Sequence, residues 1–340
     1  WDVVVASGEG DSLEKKLRES TVRFVRLPLL GRDVGVFKDI QAFFEIYSLV
    51  KKESPDILHV NSSKAGILGS LVGRLCKVNK VVFTAHGWAF NEDRSPLGRS
   101  FILLLSWLTI LLSHTTIAVS ESVAKKINGF PGSRGKVKVI RGGIQVLKTI
   151  PKKEAREKLD INPQRGTLVI GSIAELHKNK GLSYAITAVS RLKKRGAKLL
   201  YVIIGEGEER KDLERLISSE KLEKDVLLVG FREQAGELLK AFDIFLLPSI
   251  TEALGYALLE ASFAGIPLVG SNVGGIPEII KDRVNGILVE PRSQNDIAAA
   301  IIFLTDHKEE RIRMGVEARR IAPLFHFDEM FKETVSLYKN

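Results

Sequence analysis

Asp243-Ile-Phe-Leu-Leu-Pro-Ser249-Ile-Thr-Glu252-Ala-Leu-Gly255-Tyr256-Ala257-Leu-Leu-Glu260-Ala261 passes from an apolar segment through a turn into a helical run. Glu252 and Glu260 straddle that turn and the helix after it, which places two carboxylates at one helix N-terminus. Carboxylates suit sugar recognition, because each accepts two or more hydroxyl hydrogen bonds and an ionised acceptor makes the stronger kind. Gly255 lets backbone N–H groups approach a ligand closely. The helix opening at Tyr256 and Ala257 offers unpaired donors and a positive dipole end to a phosphate. Sugar hydroxyls on one side and phosphate on the other describe a nucleotide-sugar.

Outward from this stretch, strand and helix alternate. The apolar runs Val81-Val-Phe83, Thr116-Ile-Ala-Val119, Leu168-Val-Ile-Gly171, Leu200-Tyr-Val-Ile-Ile204 and Ile266-Pro-Leu-Val269 are each followed by a turn and a helical period. Short strands apolar on both faces imply parallel sheets covered by helices, and hence an α/β fold. Two glycines in Arg141-Gly142-Gly143-Ile144 end the alternation, and Pro151-Lys-Lys begins a new helix. The expected architecture is two doubly wound, Rossmann-like domains facing a cleft, at 1–143 and 144–325. Residues 326–340 read as an amphipathic helix. Ligands in such sheets sit beyond the carboxyl ends of the strands.

A chain of 340 residues, 44% of them hydrophobic, is long enough for two ordinary domains. The single cysteine, Cys76, excludes an internal disulfide and reads as a small core residue, so a reducing cytoplasm is the expected compartment. No signal peptide is expected, since neither a basic start nor a cleavage site marks one. No Cys/His cluster has metal-ligand spacing, and no metal or cofactor is expected.

At Glu252 and Glu260 the chain resembles the retaining glycosyltransferases of family 4, in which this element is followed by Gly-Gly-x-Pro-Glu, here Gly274-Gly275-Ile276-Pro277-Glu278. Ser120-Glu121-Ser122, Lys180-Gly181, Gly205-Glu206-Gly207 and Asp243-Ile-Phe-Leu-Leu-Pro-Ser249 fall in the family's order and rough spacing. The resemblance implies the two-domain GT-B fold, with a nucleotide-sugar as substrate and the C-terminal helix returning to the first domain. It also implies a first strand and glycine-rich turn, roughly thirty residues by the size of a βα unit, ahead of the strand Asp2–Ser7 and outside this sequence.

In the first domain, His86 in Thr84-Ala-His-Gly-Trp88 follows a buried strand and precedes a glycine. A strand end facing a cleft suits a ligand-contacting imidazole, though a capped histidine at a turn fits too. The resemblance has this histidine touch the transferred sugar or the acceptor, with Trp88 beside it. His59, with Ser62 and Lys64 at the following helix start, suggests a hydroxyl or anion contact; an ordinary N-cap would use the same residues. In the second domain, Lys180 is a flexible point charge suited to the donor diphosphate. Many relatives carry Arg where this chain has Glu175. Either Lys178 substitutes, or Glu175 meets a hydroxyl, or phosphate binding is weaker. Phe231 follows a strand where the family holds the base, and Gly205 shapes the turn near the nucleotide.

Charge is uneven. Residues 1–150 hold 22 Lys and Arg against 13 Asp and Glu, whereas residues 151–340 hold 29 against 28. A basic first domain points to an anionic membrane surface or a lipid diphosphate acceptor; nucleic acid is excluded by the absence of any reader motif. The apolar run Phe101–Leu112, preceded by Arg94 and Arg99, is too short to span a bilayer. It reads either as a buried helix or as one whose outer face, with Trp107, dips into the interface.

The function so implied is retaining, metal-independent transfer of a sugar, UDP-linked by family frequency, to a lipid-linked or polysaccharide acceptor in cell-envelope synthesis. The enzyme would be cytoplasmic and peripheral on the inner face of the plasma membrane. His86, Glu252 and Lys180 would be catalytic, with Glu260 holding the ribose. A glycoside hydrolase would also use two carboxylates, but the glycine-rich phosphate context argues against one. A same-fold epimerase or phosphorylase, or a non-catalytic scaffold of a polysaccharide complex, are the other readings.

Overall fold

The computed structural model describes residues 1–8, 11–31, 35–91 and 95–339, so Arg94 lies outside the described residues. Contacts divide the chain into two units, Trp1–Ala118 with Ala124–Val139, and Val119–Val123 with Ile140–Asn340. The division falls at Val139 instead of residue 143, and it keeps the C-terminal helix in the second unit. Ile144 explains both: its N–H donates to Phe325 O and its carbonyl accepts from Phe327 N, each at 3.0 Å. That bridge fastens the chain after the first unit to the start of the last helix.

In the first unit, β1 (Val4–Ser7), α1 (Asp11–Arg18) and β2 (Arg23–Arg26) make a parallel two-stranded sheet. After α2 (Val36–Glu53) come β3 (Ile57–Asn61), α3 (Ser63–Leu75), β4 (Lys80–Ala85), α4 (Pro96–Leu112), β5 (Thr115–Ala118), α5 (Glu121–Lys125), whose first three residues belong to the second unit, and β6 (Val137–Val139). Strands β3 to β6 pair in sequence order, all parallel. Ile46 and Val50 of α2 pack with Val72 of α3 and Val81 of β4 in one core cluster.

α4 is buried on one face only, so it is not the wholly buried helix that its apolar run suggests. Its buried residues are Ser106, Thr109 and Ile110, while Leu97, Phe101, Leu104 and Leu108 are exposed. The cause lies in α3. A Cβ at Gly66 would stand 2.7 Å from the Phe83 ring and 3.3 Å from the Thr109 methyl group, so α3 and α4 meet closely at this point. Ser106 and Thr109 donate to the carbonyls of Ile102 and Leu105 at 2.8 Å, which satisfies the inward hydroxyls. Trp107 does not face outward freely: it is half-buried, and its Nε1 donates to Pro131 O at 2.7 Å.

The second unit holds α6 (Lys152–Lys158), β7 (Leu168–Ile173), α7 (Leu182–Lys194), β8 (Leu199–Ile204), α8 (Arg210–Ser219), β9 (Val226–Leu228), β10 (Ile244–Leu247), α9 (Tyr256–Ala264), β11 (Leu268–Ser271), α10 (Ile276–Ile279), β12 (Gly286–Val289), α11 (Gln294–Asp306), α12 (Lys308–Ile321) and α13 (Phe327–Lys339). Its parallel strands run in the order β12-β11-β10-β7-β8-β9. Ile170, Tyr201, Ile203, Ile244 and Leu246 are fully buried, as strands covered on both faces require.

One polar relay crosses this core. The Tyr201 hydroxyl and Ser172 Oγ lie 2.8 Å apart, and Ser172 donates to Leu246 O, so β8, β7 and β10 are joined through side chains. Burial pushes the Tyr201 phenol far above its usual value. Tyr201→Phe leaves Ser172 its bond to Leu246 and should cost about 1 kcal/mol. Ser172→Ala strands a buried hydroxyl and a buried carbonyl, and should cost more, about 2–3 kcal/mol. Urea unfolding of both variants checks the order.

Candidate functional site

The strand order of the second unit reverses between β7 and β10, since β7, β8 and β9 run one way and β10, β11 and β12 the other. In a doubly wound sheet that switch point opens a crevice at the carboxyl ends of the strands. Residues 174–181 leave β7 there, and residues 248–255 leave β10. Lys180 Nζ on the first loop and Glu252 Oε2 on the second are 2.7 Å apart. Ser249 Oγ donates to the same carboxylate oxygen at 3.2 Å, and Ile250 N–H donates to Asn179 O at 2.7 Å. Both charged side chains are largely covered, 26% and 14% exposed, so their attraction is screened less than at a surface.

The sequence makes this approach possible with glycine. Gly181 has φ 62°, and a Cβ on it would fall inside the Pro248 carbonyl oxygen. Gly274 has φ 56°, and its Cβ would fall inside the Glu252 carbonyl oxygen. The Gly-Gly-Ile-Pro-Glu element therefore lies directly on the backbone of Glu252. Its Glu278 accepts hydrogen bonds from Glu121 N and Ser122 N, both at 3.1 Å. Ser120 Oγ donates to Ala253 O at 2.7 Å. Ser120-Glu121-Ser122 and Gly-Gly-x-Pro-Glu thus converge on one turn and hold it. Glu278 was not among the expected site residues. Its motif was visible, but its backbone donors lie more than a hundred and fifty residues away, and no spacing rule reaches them.

Helix α9 starts at Tyr256, with Gly255 before it at φ 97° and no side chain capping it. Its first N–H groups are therefore open to an anion. The two glutamates do not stand together at this end. Glu252 belongs to the turn and faces Lys180, whereas Glu260 lies one turn into α9 and faces Gly236. Glu260 has no side-chain hydrogen bond or ion pair among the described residues, and burial raises its carboxyl pKa. Tyr256 is partly exposed, with its phenol raised by burial and its ring against Gly142; Ala257 follows it half-buried. Gly205 N–H donates to Gly230 O at 3.0 Å, which aligns the ends of β8 and β9. Phe231, next to it, is 71% exposed, so it is not a core aromatic. Glu175 and Lys178 are both exposed, with no ion pair among the described residues.

The first unit gathers a second polar group at the carboxyl ends of β3 and β4. His59 Nε2 lies 2.7 Å from Thr84 Oγ1, and His86 Nε2 lies 3.0 Å from Asn61 Oδ1. Burial, helped by His86, lowers His59 to about 4, and burial lowers His86 as well, so both imidazoles are neutral at pH 7. Ser62 has φ 68° and ψ 161°, a region that side chains rarely enter, and its hydroxyl does not cap α3. Two expected acceptor-side contacts are placed differently. Lys64 Nζ pairs with Asp39 Oδ1 of α2 at 2.7 Å, tying two helices. Trp88 is only 5% exposed and stacks on Phe90 at 5.7 Å, inside an aromatic cluster with Phe83. A tryptophan beside a histidine-glycine turn reads equally well as surface or core; here the adjacent Phe90 turns it inward.

Among the described residues, no group of three His, Cys, Asp or Glu side chains could hold a metal ion. Residues 151–321 match the family of glycosyl transferases group 1, and residues 1–146 match glycosyltransferase family 4. The chain is 31% identical over 321 residues to the UDP-Gal:alpha-D-GlcNAc-diphosphoundecaprenol alpha-1,3-galactosyltransferase of Escherichia coli, covering 91% of this chain and 81% of that protein. It is 36% identical over 286 residues to the amylovoran biosynthesis glycosyltransferase AmsK of Erwinia amylovora, covering 79% of this chain and 66% of that protein. In fold it is similar to Anabaena HepE, solved in complex with UDP and glucose, with a TM-score of 0.87 at 20% identity over 99% of this chain and 91% of that one. The chain belongs to the group 1 glycosyltransferases of family 4 and has their GT-B fold.

Proposed function

We propose that this glycosyltransferase moves a sugar, with retention, from a UDP-sugar to a lipid-linked saccharide in envelope polysaccharide synthesis. The observation that carries the reading is the Lys180–Glu252 pair at the switch point, beside the uncapped start of α9. The donor side of the reaction belongs to the second unit and the acceptor side to the first. The relatives support the substrates: one by its name transfers galactose from UDP-Gal to a diphosphoundecaprenol-linked GlcNAc, and another serves amylovoran biosynthesis. UDP occupies the fold in the Anabaena protein.

In this reaction Lys180 and the first N–H groups of α9 meet the donor diphosphate. Their charge stabilises the phosphate as it leaves, so a bound metal ion has no required part. Glu252 holds sugar hydroxyls and Glu260 the ribose. The acceptor hydroxyl attacks the anomeric carbon on the face the diphosphate leaves. The new C–O bond forms as the old one breaks, and the acceptor proton passes to the departing phosphate oxygen. The neutral His86 hydrogen-bonds the sugar or the acceptor without adding charge.

Thermal unfolding with UDP, GDP, ADP and dTDP tests the donor site. A ligand at a hundredfold excess over its Kd stabilises the native state by about 2.7 kcal/mol. UDP should raise the wild-type midpoint, and Lys180→Ala should weaken UDP binding tenfold or more, since a hydrogen bond to a charged group contributes about 1.5–3 kcal/mol. An undiminished shift in Lys180→Ala would remove Lys180 from the site.

Glu260 supplies a pH test. Its carboxyl pKa is raised by burial, so the ionised acceptor disappears on acidification before an ordinary glutamate protonates near ~4.3. UDP affinity should therefore fall as the pH is lowered through that raised value. Glu260→Gln should bind more weakly at neutral pH and lose this dependence. Calorimetric titration across mildly acidic pH reads both.

A further inference from the structure

We propose that the outer face of α2, α3 and α4 is a docking surface for an anionic lipid bilayer, an inference that rests on the lipid-linked acceptor proposed above. α4 presents Leu97, Phe101, Leu104 and Leu108 in one row at helical spacing, and the first two are 86% and 56% exposed. α2 presents a second row, Phe37, Ile40 and Phe44, with Phe37 85% exposed. α3 lies against both helices and carries exposed Leu71 and Leu75. A water-soluble surface rarely gathers large apolar side chains on three neighbouring helices. α4 puts its hydroxyls inward and its leucines outward, the reverse of a helix built to face water.

Charge selects the occupant. Neither α3 nor α4 carries a carboxylate, and Arg74 and Arg99 are exposed on them. The segment Ala124–Val139 adds five cations, Lys125, Lys126, Arg134, Lys136 and Lys138, again without a carboxylate. Lys136 donates to Leu111 O and Ser113 O at the end of α4, and the Lys126 pKa is lowered by burial and then by the nearby Arg99 charge. The carboxylates of α2 are engaged: Asp39 by Lys64, Glu53 by Arg23, and Glu45 by Leu29 N–H. Apolar rows flanked by cations fit an interface of acyl chains and anionic headgroups. A second copy fits worse, because a twofold contact through one face would set these cations against each other. Among the described residues no helix is long and apolar enough to cross a membrane, so docking here means lying on the surface.

The test is flotation with vesicles of phosphatidylglycerol and phosphatidylcholine, and with phosphatidylcholine alone. The variants are Phe101→Ser with Leu104→Ser, and Phe37→Ser with Phe44→Ser. These side chains are exposed, so folding should persist, checked by the unchanged UDP-induced thermal shift. The wild type should float with the anionic vesicles and less in high salt, and each double variant should bind about tenfold more weakly. Phe101→Trp should show blue-shifted emission with anionic vesicles. Indifference to lipid charge, or unchanged flotation of both double variants, would overturn the proposal. So would a wild-type dimer, seen by sedimentation without lipid, that the variants dissolve. Flotation that persists when no nucleotide shifts the wild type would leave this surface standing and sink the transferase reading instead.

Discussion

The ion pair between Lys180 and Glu252 is the constraint around which the second unit is arranged. It joins the loops after β7 and β10, the two parallel strands between which the order of strand addition reverses. A covered pair of this kind is poor as a source of net stability, because desolvation offsets much of the Coulomb attraction. It is good at fixing geometry, because losing either partner leaves a half-buried charge uncompensated. The surrounding sequence is consistent with that demand. Gly181 lets the two loops approach and Ile250 N–H bonds Asn179 O across them, while Gly274, Ser120 and Glu278 brace the Glu252 turn from its other side. Motifs scattered over more than a hundred and fifty residues thus act on a single turn.

A comparable economy of space governs the first unit, with a different consequence. Close approach of α3 and α4 through Gly66 and Thr109 leaves no interior room for the leucines of α4. The inner face is held by Ser106, Thr109 and Ile110, and the leucines face outward. Hydroxyls placed there cost little, since each donates to the carbonyl one turn back. An apolar segment can therefore be well packed and still give the surface most of its apolar side chains.

These two cases mark how far the amino-acid sequence was legible. The strands were legible because doubly covered parallel strands are apolar at every position, and β4, β5, β7, β8 and β11 lie where those runs stand. The Lys180 and Glu252 loops were legible because glycine and charge at strand ends carry a local signal. The orientation of α4 was not, since a nearly all-apolar helix has no pattern to say which face is inside, and the decisive glycine sits on another helix. The surroundings of Lys64 were not legible either, since its partner Asp39 lies on another helix, while Trp88 packs on the nearby Phe90. Local chemistry was readable, and pairing across elements was not.

The two polar groups of the chain differ in charge. In the first unit His59 and His86 are held neutral by burial, and Lys64 is bound to Asp39. That cluster offers hydrogen bonds to a hydroxyl, and a phosphate would find no free cation in Lys64. In the second unit the uncapped α9 and Lys180 offer positive charge, with the Glu252 and Glu260 carboxylates alongside. Neutral imidazoles can both donate and accept hydrogen bonds, whereas Lys180 carries positive charge, so the two groups suit different ligand chemistry.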